Sequence, residues 1–343
     1  MNPTRLRLTI ILLISTFFLV NCSIPISRAT PPAEIGTHAV PTTPTATPLP
    51  PLPTPQLGLA ENPLILALPP SVNSAEQIAA AKVLAAQFTE RTGYTVVTVV
   101  PDTYSALVDA LEKGNAHIVL LDPYAYELAY QRGLVKASYA VLKDGEAMYG
   151  AQFLATSKGG FESFLNPITG ENAVDAKTAL AQFADKKPCW SDETSASGYI
   201  IPLGFLNESQ IFTKPPAFVA GHPTVVRSLY ASGICDFGAT YIDARKFPSI
   251  EDQFPDLLEQ VIVIWKIPNI IPYNVLAFST NMPQNMRDLF ASLVPPIMQT
   301  DEGRAAFKTA YDIDELLPVN DGFYEEFRIY VDESGVDLST LVK

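Results

Sequence analysis

Residues 117–132 read HIVLLDPYAYELAYQR. His117–Leu121 is a short run of branched apolar side chains, the composition of a buried strand. Asp122-Pro123 closes it, since Asp is a good N-cap and proline fits the first turn of a helix. A helix to Arg132 is therefore predicted, and strand plus helix make one βα unit. The same phrase stands upstream. Asn62–Pro69 reads as a strand, and Ser74–Thr92 as a helix with Ile78, Val83, Leu84 and Phe88 on one face, ended by Gly93. Thr95–Val100 reads as a strand and Tyr104–Lys113 as a helix stopped by Gly114. Downstream, Met148–Thr156, Pro188–Ser191, Val219–His222, Ile234–Thr240, Val261–Trp265 and Val275–Thr280 read as strands. Between them, Ala173–Phe183, a helix opening at Thr194–Gly198, and Pro223–Ser232 read as helical. The C-terminal stretch reads as helical, with Met282–Met298 and Asp301–Tyr311 the clearest segments. Alternation of this kind predicts an α/β fold with ligands at the C-terminal ends of the strands. No fixed-period repeat competes with it.

Composition narrows the function classes. With 343 residues, 48% hydrophobic and 17% charged, the chain can bury one large or two medium cores and is not disordered as a whole. A net charge of −13 opposes nucleic-acid binding. Three cysteines and three histidines leave no room for a multi-ligand Cys/His metal centre, and neither a metal nor a cofactor is expected. At the N-terminus, Arg5 and Arg7 precede an uncharged run from Leu8 to Val20, too short for a spanning helix and typical of a secretory signal over residues 1–21. Leu19-Val20-Asn21-Cys22 resembles a bacterial lipobox, with Cys22 acylated as a membrane anchor. Nine of the thirty prolines fall between Pro31 and Pro55. Residues 22–57 are thus expected to be a semi-stiff spacer, with the folded part beginning near residue 58.

Several side chains fall where a site would form. Thr194-Ser195-Ala196-Ser197-Gly198 opens a helix after a strand, so free N–H groups, hydroxyls and the helix dipole suit an anion. The same residues would equally make a plain N-cap. His222 holds a similar position and would serve as a cap or as a ligand contact. Tyr104, Tyr124 and Tyr126 sit at strand-to-helix turns, where a phenol can pack, donate, or both. Asp243 follows a strand; it can accept from a protonated oxyanion, meet an amine, or be a solvated acid. Ser195, His222 and Asp243 also have the residue types of a hydrolase triad, but Ser195 lacks the G-x-S-x-G elbow. Cys189 and Cys235 lie on predicted strands of an exported chain, which makes a disulfide feasible.

Together these residues resemble an ABC-transporter solute-binding lipoprotein of the phosphate/phosphite/phosphonate-binding family. Asp122-Pro123-Tyr124-Ala125-Tyr126 is similar to the family's G-P-x-x-Y turn, and Ser195-Ala196-Ser197-Gly198 to its S-T-S-G helix start. Gly221-His222 is similar to S-H, Gly233-Ile234-Cys235-Asp236 to G-x-V-D, and Ile271-Pro272-Tyr273-Asn274 to I-P-x-D. The resemblance implies a type II periplasmic-binding-protein clamshell: two lobes, each a mixed, mostly parallel sheet flanked by helices, joined by two hinge crossings. Lobe one is expected over 58–149 and 268–343, lobe two over 150–267. The implied ligand residues are Tyr104, Tyr126, Ser195, Ala196, Ser197, His222, Asp243 and Asn274. The implied role is non-enzymatic: a monomer outside the cytoplasm that captures a phosphorus oxyanion and delivers it to a membrane permease. Ala196 lacks the family's Thr hydroxyl and Asn274 its acid, so an aminoalkylphosphonate is less favoured than a simple oxyanion, and Asp243 would disfavour sulfate. A thiamine-related pyrimidine, and a sensor role in place of transport, stay open as alternatives.

Overall fold

A computed structural model describes residues 56–343; the expected signal, Cys22 and nearly all of the spacer lie outside them. The strands are β1 (Leu64–Ala67), β2 (Val96–Val99), β3 (Ile118–Leu121), β4 (Val135–Leu142), β5 (Met148–Thr156) and β6 (Pro188–Trp190). They continue with β7 (Ala217–Phe218), β8 (Phe237–Tyr241), β9 (Val261–Pro272), β10 (Val275–Ser279) and β11 (Glu315–Pro318). The longer helices are α1 (Ala75–Thr92), α2 (Tyr104–Glu112), α3 (Pro123–Gln131), α4 (Ile201–Glu208), α5 (His222–Ala231), α6 (Gln284–Met298), α7 (Asp301–Tyr311) and α8 (Glu325–Glu333).

Two sheets result, a 6-stranded one ordered β11-β4-β10-β3-β1-β2 and a 5-stranded one ordered β7-β6-β8-β5-β9. The parallel pairs, β1 with β2 and β3 and β6 with β7 and β8, are those the βα rhythm predicts. Strands next to the crossings pair antiparallel: β10 with β3 and β4, β5 with β8 and β9. The chain leaves the first sheet after Leu142 and returns at Val275. The expected boundaries at 149/150 and 267/268 therefore fall inside β5 and β9. The two crossings lie side by side: Tyr273 N–H donates to Ala147 O at 3.3 Å, and Val141 N–H to Asn274 O at 3.0 Å.

Local chemistry explains the elements that bear on the site. Ser74 and Gln77 form a reciprocal capping box at the start of α1, and Gly93 ends it in the left-handed region. Leu84 and Phe88 of α1 pack with Phe290 of α6 and Phe307 of α7 into a core outside the first sheet. Leu107 and Leu111 of α2 and Tyr126 of α3 bury on its other face.

Helix α8 touches both halves. Its Arg328 Nε–H is shared between the two carboxylate oxygens of fully buried Glu127 of α3, each at 3.0 Å, and its guanidinium makes a further ion pair with Glu325. Its opposite side lies on α4, where Phe205 and Tyr330 stack at 3.7 Å and Asn207 donates to Glu333 O and Ser334 O. Gly204 allows this approach, since a Cβ there would stand 2.1 Å from Tyr330 O.

Candidate functional site

The second sheet builds one wall from the end of β6. Ser191 N–H donates to Gly198 O, and Gly221 N–H donates to Ser191 O, so one residue ties two helix starts together. The first start is Thr194–Gly198. Thr194 N–H and hydroxyl both donate to Asp192 Oδ1, and Ser195 caps the helix by accepting from Gly198 N–H at 3.0 Å. The turn that follows is wide, Ile200 N–H donating five residues back to Ser195 O, a widening often found at functional sites. The second start is Gly221-His222. Gly221 has φ 103°, a conformation few other residues adopt, and it sets His222 as the first residue of α5.

These starts converge. His222 Nε2 lies 3.4 Å from Ser195 Oγ. Its Nδ1 and Ser191 Oγ are buried without a hydrogen-bond partner. Gly198 is what allows this: a Cβ there would lie 2.0 Å from Ser191 Oγ and 2.9 Å from His222 Cε1. Burial lowers the imidazole's proton affinity, partly opposed by Asp192. Ser197 is 3% exposed and meets the phenol of Tyr149, which burial pushes up and this hydrogen bond pulls back.

The facing wall is the start of α3. Asp122 caps it, accepting Ala125 N–H at 2.7 Å; burial raises its carboxyl, opposed by the N–H groups of Ala125 and Tyr124. The Tyr124 hydroxyl is buried and unpartnered. Between the walls lies a cleft of 500 Å³, lined by Asp122, Tyr124, Lys143, Tyr149, Thr194, Ala196 and the crossing residues Pro272, Tyr273 and Asn274. Tyr149 and Tyr273 stack at 5.3 Å, and Lys143 Nζ lies 5.3 Å above the Tyr273 ring. A larger groove of 710 Å³ between α1 and β2 contains none of these residues.

The structure thus brings Ala196 and Asn274 to the cleft wall and sets Ser195, Ser197 and His222 in the helix starts beside Ala196. Other predicted residues are placed differently. Tyr126 is fully buried and points away, its hydroxyl donating to Asp321 at 2.8 Å; Tyr124, two residues earlier, is the phenol that lines the cleft. Half-buried Tyr104 opens α2, its N–H donating to Lys343 O, and it does not line the cleft. Asp243 is already engaged: Arg245 grips both carboxylate oxygens and Gln152 donates to Oδ1 at 2.7 Å. Burial pushes this carboxyl up, but Arg245 and Gln152 more than offset it, and it titrates below the usual range. The acid expected to read a ligand proton is thus committed to an internal ion pair. No hydrogen bond joins it to His222, whose Nδ1 has no partner. Cys189 and Cys235 form a disulfide. Lys143 and Tyr149 are cleft residues outside every quoted motif, one on the turn before β5 and one inside it, and Tyr273 is the unspecified position of the Ile271–Asn274 motif.

Residues 66–324 match the family model described as ABC transporter, phosphonate, periplasmic substrate-binding protein. The phosphate-import protein PhnD of Mycolicibacterium smegmatis is 24% identical over 291 residues, which span 79% of this chain and 86% of the relative. XAC2383 from Xanthomonas citri, solved bound to ATP, shares the fold with a TM-score of 0.57 at 15% identity, covering 79% of this chain and 98% of that one. PhnD1 from Prochlorococcus marinus, in complex with methylphosphonate, gives a TM-score of 0.46 at 11% identity, covering 79% and 98%. The matched residues run through both sheets, both crossings and both walls of the cleft, and the chain belongs to the periplasmic substrate-binding family of phosphonate ABC transporters.

Proposed function

We propose that the protein captures a small phosphorus oxyanion (phosphate, phosphite or a phosphonate) in the cleft and hands it to its membrane permease. The observation that carries this reading is the convergence of two helix starts, Ser195–Gly198 and His222, on unpartnered Ser191 Oγ and His222 Nδ1. Helix N-termini offer N–H donors and a positive dipole end to an anion. With a chain charge of −13, long-range attraction does not favour an anion, so local donors must hold it. The Mycolicibacterium relative, a phosphate-import protein, supports the same ligand class. Closure of the two halves about the crossings at 143–147 and 273–274 would bring Tyr124 against the ligand from the other side. Acylation at Cys22 and the proline-rich spacer would keep this capture near the membrane; Cys22→Ala should release the protein from the membrane fraction.

The test is a thermal-shift panel of phosphate, phosphite, methylphosphonate, 2-aminoethylphosphonate, sulfate and a thiamine-related pyrimidine. A ligand at 100 times its Kd adds about 2.7 kcal/mol of stability. A shift with a phosphorus oxyanion that Ser197→Ala diminishes supports the reading. A shift with the pyrimidine alone, or with none of the phosphorus compounds, overturns it.

A further inference from the structure

We propose that Lys143 is a specificity residue: it pairs with a second acidic group on the ligand, so the cleft favours an organic phosphonate carrying a carboxylate over one carrying an amine. The proposal rests on the oxyanion reading above and concerns the ligand's other end.

Lys143 is the one cationic side chain among the described residues that line the cleft. It stands on the turn between β4 and β5, held by reciprocal backbone bonds with Glu146, and its ammonium lies over the Tyr273 ring. Among the described residues no carboxylate forms an ion pair with it. Asp312, which feels its charge, is already paired with Lys308 at 2.7 Å. A cation over an aromatic face at a cleft wall, held in no direct ion pair among the described residues, is complementary to an anionic group brought in by a ligand.

Three acids on the two walls already accept hydrogen bonds within the protein, while Asp144 and Glu146 stand on the Lys143 turn and act on the Tyr273 phenol. Asp122 spends its carboxylate on the α3 N-terminus, Asp192 on Thr194, and Asp243 on Arg245 and Gln152. At the crossing, where an acid would meet an amine, stands neutral Asn274. The cleft volume of 500 Å³ falls in the range that holds organic ligands, which leaves room beyond a tetrahedral head group. The stacked Tyr149–Tyr273 pair supplies an apolar bed for a short carbon linker between head group and tail. Tyr149 also meets Ser197 of the oxyanion wall, so the two ends are joined by one side chain.

The experiment is titration calorimetry of the full chain with phosphonoacetate, methylphosphonate and 2-aminoethylphosphonate at 0.15 M salt. Wild-type protein should bind phosphonoacetate about tenfold or more tighter than the amine, the size of one charge-assisted hydrogen bond. Lys143→Met should collapse that ratio, Lys143→Arg should keep it, and Lys143→Glu should reverse it. The ranking in wild-type protein decides the matter even if a variant melts early. Equal or tighter binding of the amine overturns the proposal while leaving the oxyanion reading intact. So does a Lys143→Met variant that weakens all three ligands equally, since Lys143 would then touch the shared head group. Failure of every phosphorus compound to bind overturns both, and is a distinct result.

Discussion

Gly198→Ala is the sharpest single test of the anion wall. The added methyl carbon would sit 2.0 Å from Ser191 Oγ, 2.8 Å from Ser191 Cβ and 2.9 Å from His222 Cε1. Rotating the Ser191 hydroxyl cannot relieve this, because its own Cβ is also too close. The imidazole or the helix start must move, and each is held by backbone bonds through Ser191. Overpacking of this kind costs about 1–3 kcal/mol. At about 2–4 °C per kcal/mol for a chain of this size, melting should fall by several degrees. Displacing His222 from Ser195 removes one donor to a charged ligand, about 1.5–3 kcal/mol, so Kd should rise roughly 10- to 100-fold. Differential scanning calorimetry and titration with the best phosphorus ligand measure the two effects separately. An alanine variant with the parent's melting temperature and Kd would refute the idea that Gly198 holds these groups in register.

Three further outcomes are expected. Arg328→Met strands the fully buried Glu127 carboxylate and should cost about 3–5 kcal/mol in denaturant unfolding, most of it recovered by adding Glu127→Gln; a loss below about 1 kcal/mol would count against a buried pair. Burial holds His222 below its usual 6.5, so its contribution to stability is present above that pH and fades as pH falls toward the folded value. An anionic ligand favours imidazolium, so binding at pH 6.5 should take up protons at His222 beyond any exchanged by the ligand itself, seen as a buffer-dependent heat that shifts toward proton release in His222→Gln. Asp243→Asn breaks the grip on Arg245 and should destabilise the fold by about 1–3 kcal/mol without altering the phosphate-to-sulfate affinity ratio; a changed ratio would return Asp243 to the site.

Much of the fold was legible because its βα units carry period and punctuation together. The run from His117 to Arg132 has both, and β3 and α3 fall where they are expected. β4 was harder to see, since Val135–Leu142 alternates small and large side chains instead of forming an apolar block, and β11 is a short edge strand ending in Pro318. At the site, the helix starts were legible from hydroxyls, glycine and position. The choice between Tyr124 and Tyr126 was not, because two phenols two residues apart on a helix differ only in direction. What turns Tyr126 inward is Asp321, 195 residues away. The engagement of Asp243 was hidden for a similar reason: whether an acid is available depends on Gln152, 91 residues upstream in a neighbouring strand, as well as on the nearby Arg245.

Helix α8 gives the molecule a third point of attachment. Two parallel crossings alone define an axis about which the halves can swing with little resistance. A strut pinned at Glu127 and resting on Gly204 and Phe205 takes that freedom away in any direction that lifts α4 from Tyr330. Opening and closing must then slide along this contact or break it, and the work of doing so is subtracted from what the ligand contacts return. Capture strength can therefore be tuned at Tyr330 or Asn207, with no change in what the ligand touches, and the two halves respond to a bound ion as a damped lever instead of a free hinge.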